Sequence, residues 1–371
     1  MTVPPFPPDY ESSRTRFREA AARLGWSRSA HAIDGEGPGG EDLTIDAAFS
    51  PARGAERVLV VSSALHGVEG PFGAAVQLAV MEQWAVNGGV PGGVRAVFLH
   101  GLNPYGYAWG RRADAANVDP NRNFLLPGEE YRGSPATYAL FDSLLNPPRP
   151  PGRWDPFVLH AWLALARHGL PALKQALVGG QYDYPKGVFF GGHGPSATHL
   201  ALQERFREWV GPAAQVVHLD FHTGLGRWGT YKLLLDAPVT AMTRARMDAW
   251  FGPGTYEEDN PNGVAYLPRG GFGPWCVAQA VAADYLYMVA EFGTYGHVPM
   301  LAGLRAENRA HHWGRPGDPH VERAKARLRE LFCPAAPAWR ANSLVQGVDL
   351  VHRAVTGLAS DRLATPRRQC A

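Results

Sequence analysis

The 371-residue sequence has few cysteines: Cys276, Cys333 and Cys370 lie far apart in the chain. A sparse and odd-numbered set of this kind indicates neither a disulfide framework nor a thiolate metal site. Residues 1–8 lack the basic segment and the apolar segment of a secretory signal. We therefore expect a reduced, cytoplasmic setting.

The sequence also lacks an excess of charge of either sign. Its net charge is +2, with 19% charged residues, so neither a nucleic-acid footprint nor an acidic tail is present, and we expect no nucleic-acid partner. No apolar stretch reaches the length of about 20 residues that a membrane-spanning helix needs, and we expect no membrane partner. The oligomeric state has no signature in the sequence.

Glycine and proline, in contrast, are abundant, with 43 and 32 residues. They cluster in loops such as 35–40 and 146–151, a distribution that suits a protein whose function lies in its loops. Hydrophobic residues make up 45% of the chain, which is enough for a large core. We interpret residues 1–371 as a single domain with an insertion at about 125–212 and a helical region from about 299.

The order of the predicted elements indicates the fold class. Apolar strands are predicted at 57–63 and 94–100, with a helix at 71–85 between them. A strand, helix and strand in this order form a right-handed crossover in a largely parallel sheet. With further strands at 216–220 and 285–290, the prediction is an α/β fold: a mixed, mostly parallel twisted sheet flanked by helices.

A glycine-flanked turn after the strand at 57–63 carries His66 and Glu69. At this spacing an imidazole nitrogen and a carboxylate oxygen can meet on one side of the turn, a pairing that zinc accepts. The same spacing also occurs in surface pairs and in contacts within helices. The position at the end of a strand favours the metal site, because ligands of open α/β sheets gather there.

A further candidate ligand lies at the end of the strand at 216–220. His218, Asp220 and His222 would point to one face of this strand, with apolar residues between them. His222 precedes a Thr-Gly turn and is placed to bind a metal, and Asp220 could orient it. His218 lies deeper in the strand and is expected to be a hydrogen-bonded core histidine.

Glu291 directly follows the apolar strand at 285–290 and precedes a glycine-rich turn. Burial of a carboxyl group costs free energy unless the group has a partner or a purpose. Burial would raise its pKa, which suits a general base. A salt bridge at the end of the strand is the alternative interpretation.

The loop after the strand at 94–100 contains the adjacent arginines Arg111 and Arg112 and an Asn-Arg-Asn run at 121–123. Arginines can bind a carboxylate through two parallel hydrogen bonds. A solvated basic loop is the simpler interpretation, but the interleaved asparagines and Asp119 favour a polar pocket.

Together, these four features resemble the zinc carboxypeptidase superfamily. His66 and Glu69 look like its paired zinc ligands, and His222 looks like its third ligand. The segment Val-Asp-Pro-Asn-Arg-Asn-Phe at 118–124 is similar to the family's Val-Asp-x-Asn-Arg-Asn-aromatic signature. Glu291 falls on the late strand where the family keeps its catalytic glutamate.

The resemblance, over about residues 43–296, implies a carboxypeptidase-like fold with one zinc ion. It implies hydrolysis of an amide bond next to the free carboxylate of a small-molecule or peptide substrate. Asn121 and Arg122 would hold that carboxylate. Arg111 or Arg112 would polarise the scissile carbonyl and stabilise the oxyanion, and both arginines fit this role equally well.

Departures from the family pattern leave the substrate open. Tyr256 and Tyr266 are both candidates for the tyrosine that contacts substrate. The Asp-Phe-His-Thr-Gly sequence at 220–224 is closer to the Asp-Leu-His-Thr-Gly of the aspartoacylase and succinylglutamate desuccinylase branch, and the chain resembles an uncharacterised bacterial branch of the superfamily. An N-acyl amino acid deacylase of the aspartoacylase type and a non-catalytic metal-binding or ligand-binding relative are the alternatives.

Overall fold

A computed structural model describes residues 6–51, 55–163, 166–167, 169, 179–235, 239–258 and 268–361. Its strands are β1 (Ser27–Glu36), β2 (Asp42–Phe49), β3 (Arg57–Ser63), β4 (Arg95–His100), β5 (Ala213–Gly224), β6 (Tyr231–Leu234), β7 (Tyr256–Glu257) and β8 (Ala282–Gly293). They form one sheet in the order β1-β2-β4-β3-β5-β8-β6-β7.

The α-helices of these ranges surround the sheet. They are α1 (Tyr10–Arg23), α2 (Gly70–Val86), α3 (Pro104–Trp109), α4 (Ala136–Leu145), α5 (Ala197–Val210), α6 (Ala241–Phe251), α7 (Phe272–Ala278), α8 (His297–Trp313), α9 (Pro319–Phe332) and α10 (Pro337–Ser360). Residues 157–163 are also helical. Within the described ranges, every helix is too short or too polar to cross a bilayer.

The sheet is mixed, with a parallel centre. Strand β3 pairs in parallel with β4 and β5, and β5 pairs in parallel with β8. On one side of this centre, β2 pairs antiparallel with both β1 and β4. On the other side, β6 pairs antiparallel with β8. The predicted α/β class is confirmed.

Edge strand β1 was not predicted from the sequence. Most of its residues are exposed or only half-buried, and hydrophobic alternation appears only where one face of a strand is buried. The central strands, in contrast, are near-continuous apolar runs because helices cover both faces of the sheet. Leu59 and Val61 face the layer of α2 and α10, whereas Val58 and Val60 face the layer of α5 and α7.

The segment between β4 and β5 builds its own apolar cluster. Tyr138, Phe141 and Leu145 of α4 pack with Val188, and Leu301 of α8 joins them. This cluster ties the segment to the C-terminal region, which is helical from His297 onward in the described residues. The bounds of the insertion, about 125–212, stay a prediction.

Candidate metal centre and substrate cleft

Three parallel strands bring the predicted site residues to one edge of the sheet. Strands β3, β5 and β8 are neighbours with the same direction, so their carboxyl ends lie side by side. His66 follows β3, His222 is near the end of β5, and Glu291 is near the end of β8. The ends of β5 and β8 at this edge are buried, so the polar side chains there are shielded from solvent.

His66, Glu69 and His222 form a compact group of possible metal ligands. One ligand atom from each lies within 4.8 Å of the others, and all three residues are buried. Nδ1 of His66 is 2.9 Å from Glu69 Oε1, and Nδ1 of His222 is 3.2 Å from Glu69 Oε2. Neighbouring ligands around a tetrahedral zinc ion are about 3.3 Å apart, given bond lengths of about 2 Å. Two nitrogens and one carboxylate at this spacing fit zinc.

Both imidazoles use their other nitrogen to contact a buried carboxylate. Nε2 of His66 donates to Asp119 Oδ1 at 3.2 Å, and Nε2 of His222 donates to Asp220 Oδ2 at 2.7 Å. These hydrogen bonds orient both rings and leave both Nδ1 atoms directed toward Glu69. Asp220 was the predicted orienter of His222. The matching contact of Asp119 was not predicted, although Asp119 is the aspartate of the signature at 118–124.

The electrostatics of the group favour a cation. Burial by itself would raise the pKa of Glu69, but the adjacent His66 and His222 hold it below its ordinary value. Burial would likewise lower the pKa of His222, but the carboxylates of Asp220 and Glu69 raise it well above its ordinary value. The carboxylates of Asp220 and Glu69 thus favour positive charge at this place.

Glu291 lies beside this group with a different electrostatic character. Burial, together with the negative charge of Glu69, raises the pKa of Glu291 to about 7. The backbone N–H of Leu225 donates to Oε1 of Glu291 at 2.7 Å and holds the carboxyl group in place. A carboxyl group that gains and loses a proton near neutral pH suits general acid–base chemistry.

The two adjacent arginines lie in different surroundings. Arg111 is 1% exposed, and its Nε donates to Glu307 Oε1 at 2.8 Å. Its Nη2 donates to Asn117 Oδ1 at 2.9 Å, and its Nη1 donates to the carbonyl of Asp114. Arg111 is therefore engaged within the protein core.

Arg112 faces the candidate metal ligands. Its Nε donates to Asp119 Oδ2 at 2.9 Å, and its Nη1 is 3.5 Å from Glu69 Oε1. The structure thus separates the two predicted candidates: Arg112 is the arginine at the metal group, and Arg111 supports the loop that carries it.

Asn121 and Arg122 form a short 3-10 turn, Pro120–Arg122. The side-chain oxygen of Asn121 accepts from the backbone N–H of Phe272 at 3.0 Å. Arg122 is buried, and its Nη1 donates to the carbonyl of Asn121 at 2.8 Å. Gly270, with φ +68°, packs so closely that a Cβ atom there would be 2.4 Å from the carbonyl oxygen of Arg122. The turn is therefore held rigidly.

The insertion is hydrogen-bonded to the signature loop through Asn123. The side-chain amide nitrogen of Asn123 donates to the carbonyls of Gly191 and Gly194, at 2.8 and 2.9 Å. Its side-chain oxygen accepts from the N–H of Ser196 at 2.7 Å. The hydroxyl of Tyr182 also donates to the carbonyl of Arg122. The signature loop and the insertion are therefore one connected structure.

Tyr256, one of the two predicted tyrosines, is not part of this arrangement. Tyr256 lies on β7 at the edge of the sheet, and its hydroxyl donates to Asp248 Oδ1 at 3.1 Å. The structure does not bring it together with His66, Glu69 and His222. Tyr266 lies outside the described residues.

One family model matches most of the chain. A family model described as "Protein of unknown function (DUF2817)" matches residues 6–346. Among curated proteins, no sequence matches this chain significantly.

Solved structures to which the chain is similar come from several organisms. A metallo-carboxypeptidase from Burkholderia cenocepacia has 12% identity and a TM-score of 0.46, covering 93% of this chain and 68% of that chain. Carboxypeptidase A from Helicoverpa armigera has 14% identity and a TM-score of 0.43, covering 89% and 74%. The murein-tripeptide amidase MpaA from Escherichia coli O157 has 18% identity and a TM-score of 0.36, covering 80% and 97%.

These structures are named as metallo-carboxypeptidases and an amidase, the kinds of protein that the resemblance stated from the sequence implies. Likenesses with TM-scores below 0.5 do not assign a metal or an activity. Both are argued below from the residues of this chain.

Proposed function

Because the chain belongs to the DUF2817 family, whose model covers residues 6–346, we propose a function for this member from its own site. It is a zinc-dependent hydrolase of the carboxypeptidase type, which cleaves an amide bond next to a free carboxylate. The observation that carries the proposal is the placement of Glu291 beside the buried donors of His66, Glu69 and His222.

The metal would be one zinc ion held by His66 Nδ1, a carboxylate oxygen of Glu69 and His222 Nδ1. Bound there, zinc polarises the scissile carbonyl and lowers the pKa of the attacking water. The contacts of Asp119 and Asp220 support this assignment, because each keeps the proton of its histidine on Nε2. Nδ1 would release any proton it carries when the metal binds and would act as the ligand.

Glu291 is the proposed general base. Its carboxylate accepts a proton from the water that attacks the carbonyl carbon and then donates this proton to the nitrogen of the leaving amine. A pKa of about 7 allows both transfers near neutral pH, since neither protonation state is strongly favoured.

Two arginines would contact different parts of the substrate. Arg112 directs its guanidinium toward the metal ligands and would donate to the oxygen that becomes negatively charged in the transition state. Arg122, with Asn121, would bind the substrate carboxylate. Arg122 is rigidly packed at its backbone, so the carboxylate would be held in a defined position.

A deacylase of N-acyl amino acids is the second candidate. The observation that favours it is the pair of Asp220 and His222, which lies in the Asp-x-His-Thr-Gly setting of the aspartoacylase branch. Both activities use the same metal group, base and carboxylate site. They differ in what lies on the acyl side of the amide bond, a peptide in one case and a simple acyl group in the other.

We further propose that the substrate is a small molecule or a peptide, and that the protein acts in the cytoplasm, free of nucleic acid and membrane.

The test is a substrate panel with metal-depleted and zinc-reconstituted protein. The panel contains N-blocked dipeptides with a free C-terminus, the same peptides amidated at the C-terminus, and N-acetyl amino acids. We expect zinc-dependent hydrolysis of a carboxylate-bearing member and no hydrolysis of its amidated counterpart. Preference for the dipeptides supports the carboxypeptidase, and preference for the N-acetyl amino acids supports the deacylase. A zinc-loaded protein that is inert to the whole panel would instead be a non-catalytic relative.

A further inference from the structure

Phe189, in the insertion, has a backbone conformation that aromatic residues rarely adopt. Its φ is +60°, in the left-handed region, where the Cβ atom of a bulky residue crowds the backbone. The turn around it is held by hydrogen bonds: Gln181 N–H donates to the carbonyl of Phe189 at 3.1 Å, and Gly191 N–H donates to the carbonyl of Gln181 at 2.8 Å. Strain of this kind persists where the surrounding structure enforces it, often at functional sites.

The ring of Phe189 lies against both arginines that the proposed function assigns to the substrate. The guanidinium carbon of Arg112 is 5.7 Å from the ring centroid, and that of Arg122 is 5.9 Å from it. Both distances are within the range of a cation–π interaction. One aromatic ring therefore contacts two positive groups that otherwise repel each other.

The ring of Phe189 also contacts apolar side chains of the insertion. Phe189 packs against the apolar cluster of the insertion, which contains Tyr138, Leu145 and Val188. The side chain is half-buried, so it connects the rigid core of the insertion with the two arginines. The left-handed backbone and the contacts with both arginines therefore occur at the same residue.

We propose that Phe189 is a positioning residue that fixes the distance and orientation between Arg112 and Arg122. This inference rests on the proposed function. A substrate with a scissile carbonyl and a carboxylate, joined through one nitrogen and one carbon atom, must reach both arginines at once. The ring sets the spacing that such an N-acyl α-amino acid unit requires, so the spacing selects α-carboxylates over longer acids.

The test compares Phe189→Leu with Phe189→Tyr in the zinc-loaded protein. Leucine keeps an apolar side chain but has no π face, whereas tyrosine keeps the ring. With the panel substrate that the wild type hydrolyses best, we expect KM to rise at least tenfold in Phe189→Leu and to stay within twofold in Phe189→Tyr. The preference for an α-carboxylate over the homologous β-amino acid substrate should also fall in Phe189→Leu.

Phe157→Leu is the matched control. The ring of Phe157 belongs to the same apolar cluster and lies 4.7 Å from the guanidinium carbon of Arg305, so this variant removes a similar contact away from the metal group. We expect wild-type KM and wild-type selectivity. A second measurement is calorimetric binding of N-acetyl-L-alanine to metal-depleted protein, which should weaken in Phe189→Leu and not in Phe157→Leu.

Phe189→Gly replaces Phe189→Leu in the test if the leucine variant fails to fold. Glycine adopts a left-handed φ without strain. The glycine variant should be folded and should show the raised KM. Wild-type KM and selectivity in folded Phe189→Leu or Phe189→Gly would overturn the inference while leaving the proposed function intact. A wild-type protein that hydrolyses nothing in the panel would overturn the proposed function and this inference with it.

Discussion

His222 and Glu291 are directly opposite each other in the parallel pair of strands β5 and β8. Paired residues of neighbouring strands point to the same face of a sheet, so a proposed ligand and the proposed base are placed together by backbone hydrogen bonds. A slip of one residue in this pairing would turn Glu291 to the opposite face. The relative position of metal and base is therefore a property of the sheet.

Replacing Glu291 with glutamine should remove turnover and leave the metal in place. The amide cannot accept a proton from water, and general acid–base catalysis contributes roughly 10²- to 10⁴-fold to a rate. We expect kcat to fall by this factor, with a zinc content equal to that of the wild type, measured by steady-state kinetics and elemental analysis. Glu208→Gln, on the surface of α5, is the control. Full activity of the Glu291→Gln protein would refute the assignment.

The Asp220→Asn variant should bind zinc more weakly. The carboxylate of Asp220 accepts the Nε2 proton of His222 at 2.7 Å, and loss of such a partner typically lowers metal affinity by about 10- to 100-fold. Competition with a chromophoric chelator measures this change. Because Asp220 also accepts hydrogen bonds from Ser62 and Tyr287, thermal unfolding of the metal-depleted variant must show that it is folded. An unchanged zinc affinity in a folded variant would contradict the role.

The adjacent arginines should differ in what their replacement by lysine changes. Arg112→Lys should lower kcat by about 10²- to 10³-fold, the usual effect of losing one oxyanion donor, and should change the free energy of unfolding less than Arg111→Lys, since the side chain of Arg112 is more exposed than that of Arg111. Arg111→Lys should lower the free energy of unfolding, since it weakens the buried pair with Glu307 and the contact with Asn117. Chemical denaturation and kinetics on both variants test this. A large loss of kcat in Arg111→Lys, with a loss of stability in Arg112→Lys, would exchange the two roles.

Stability should fall in acid because of His100, which lies outside the metal group. Burial, with the nearby charge of Arg18, lowers its pKa from 6.5 to about 3. Between these values the unfolded chain binds a proton that the folded protein does not, so stability is full above pH 6.5 and decreases as the pH falls.

The decrease due to His100 has a slope of up to about 1.4 kcal/mol per pH unit. Between pH 7.5 and pH 4.5, the free energy of unfolding of the wild type should therefore fall by up to about 3 kcal/mol more than that of His100→Gln. Urea denaturation from pH 7.5 to 4.5 measures both proteins. Since His100 Nδ1 donates to Gln77 Oε1 at 2.8 Å, the variant is expected to be less stable at pH 7.5. Parallel pH profiles would show that His100 does not titrate in this way.

Much of this arrangement could be predicted from local sequence. Central strands are rich in apolar residues because both faces are covered, and candidate site residues follow where each strand ends. That position marks His66, His222 and Glu291 without any knowledge of the tertiary structure. The edge strand β1 could not be found in this way, since its side chains are mostly exposed and have no hydrophobic alternation.

The amino-acid sequence by itself determined the α/β class, the candidate donors and their order along the chain, because these depend on hydrophobic periodicity and residue chemistry. Only the tertiary structure distinguished Arg112 from Arg111, since neighbouring residues in a loop can point in opposite directions and their partners are distant in sequence. Only the tertiary structure showed that Phe189 contacts both Arg112 and Arg122. Such contacts arise from how the insertion packs back onto the sheet, and no local pattern encodes that packing.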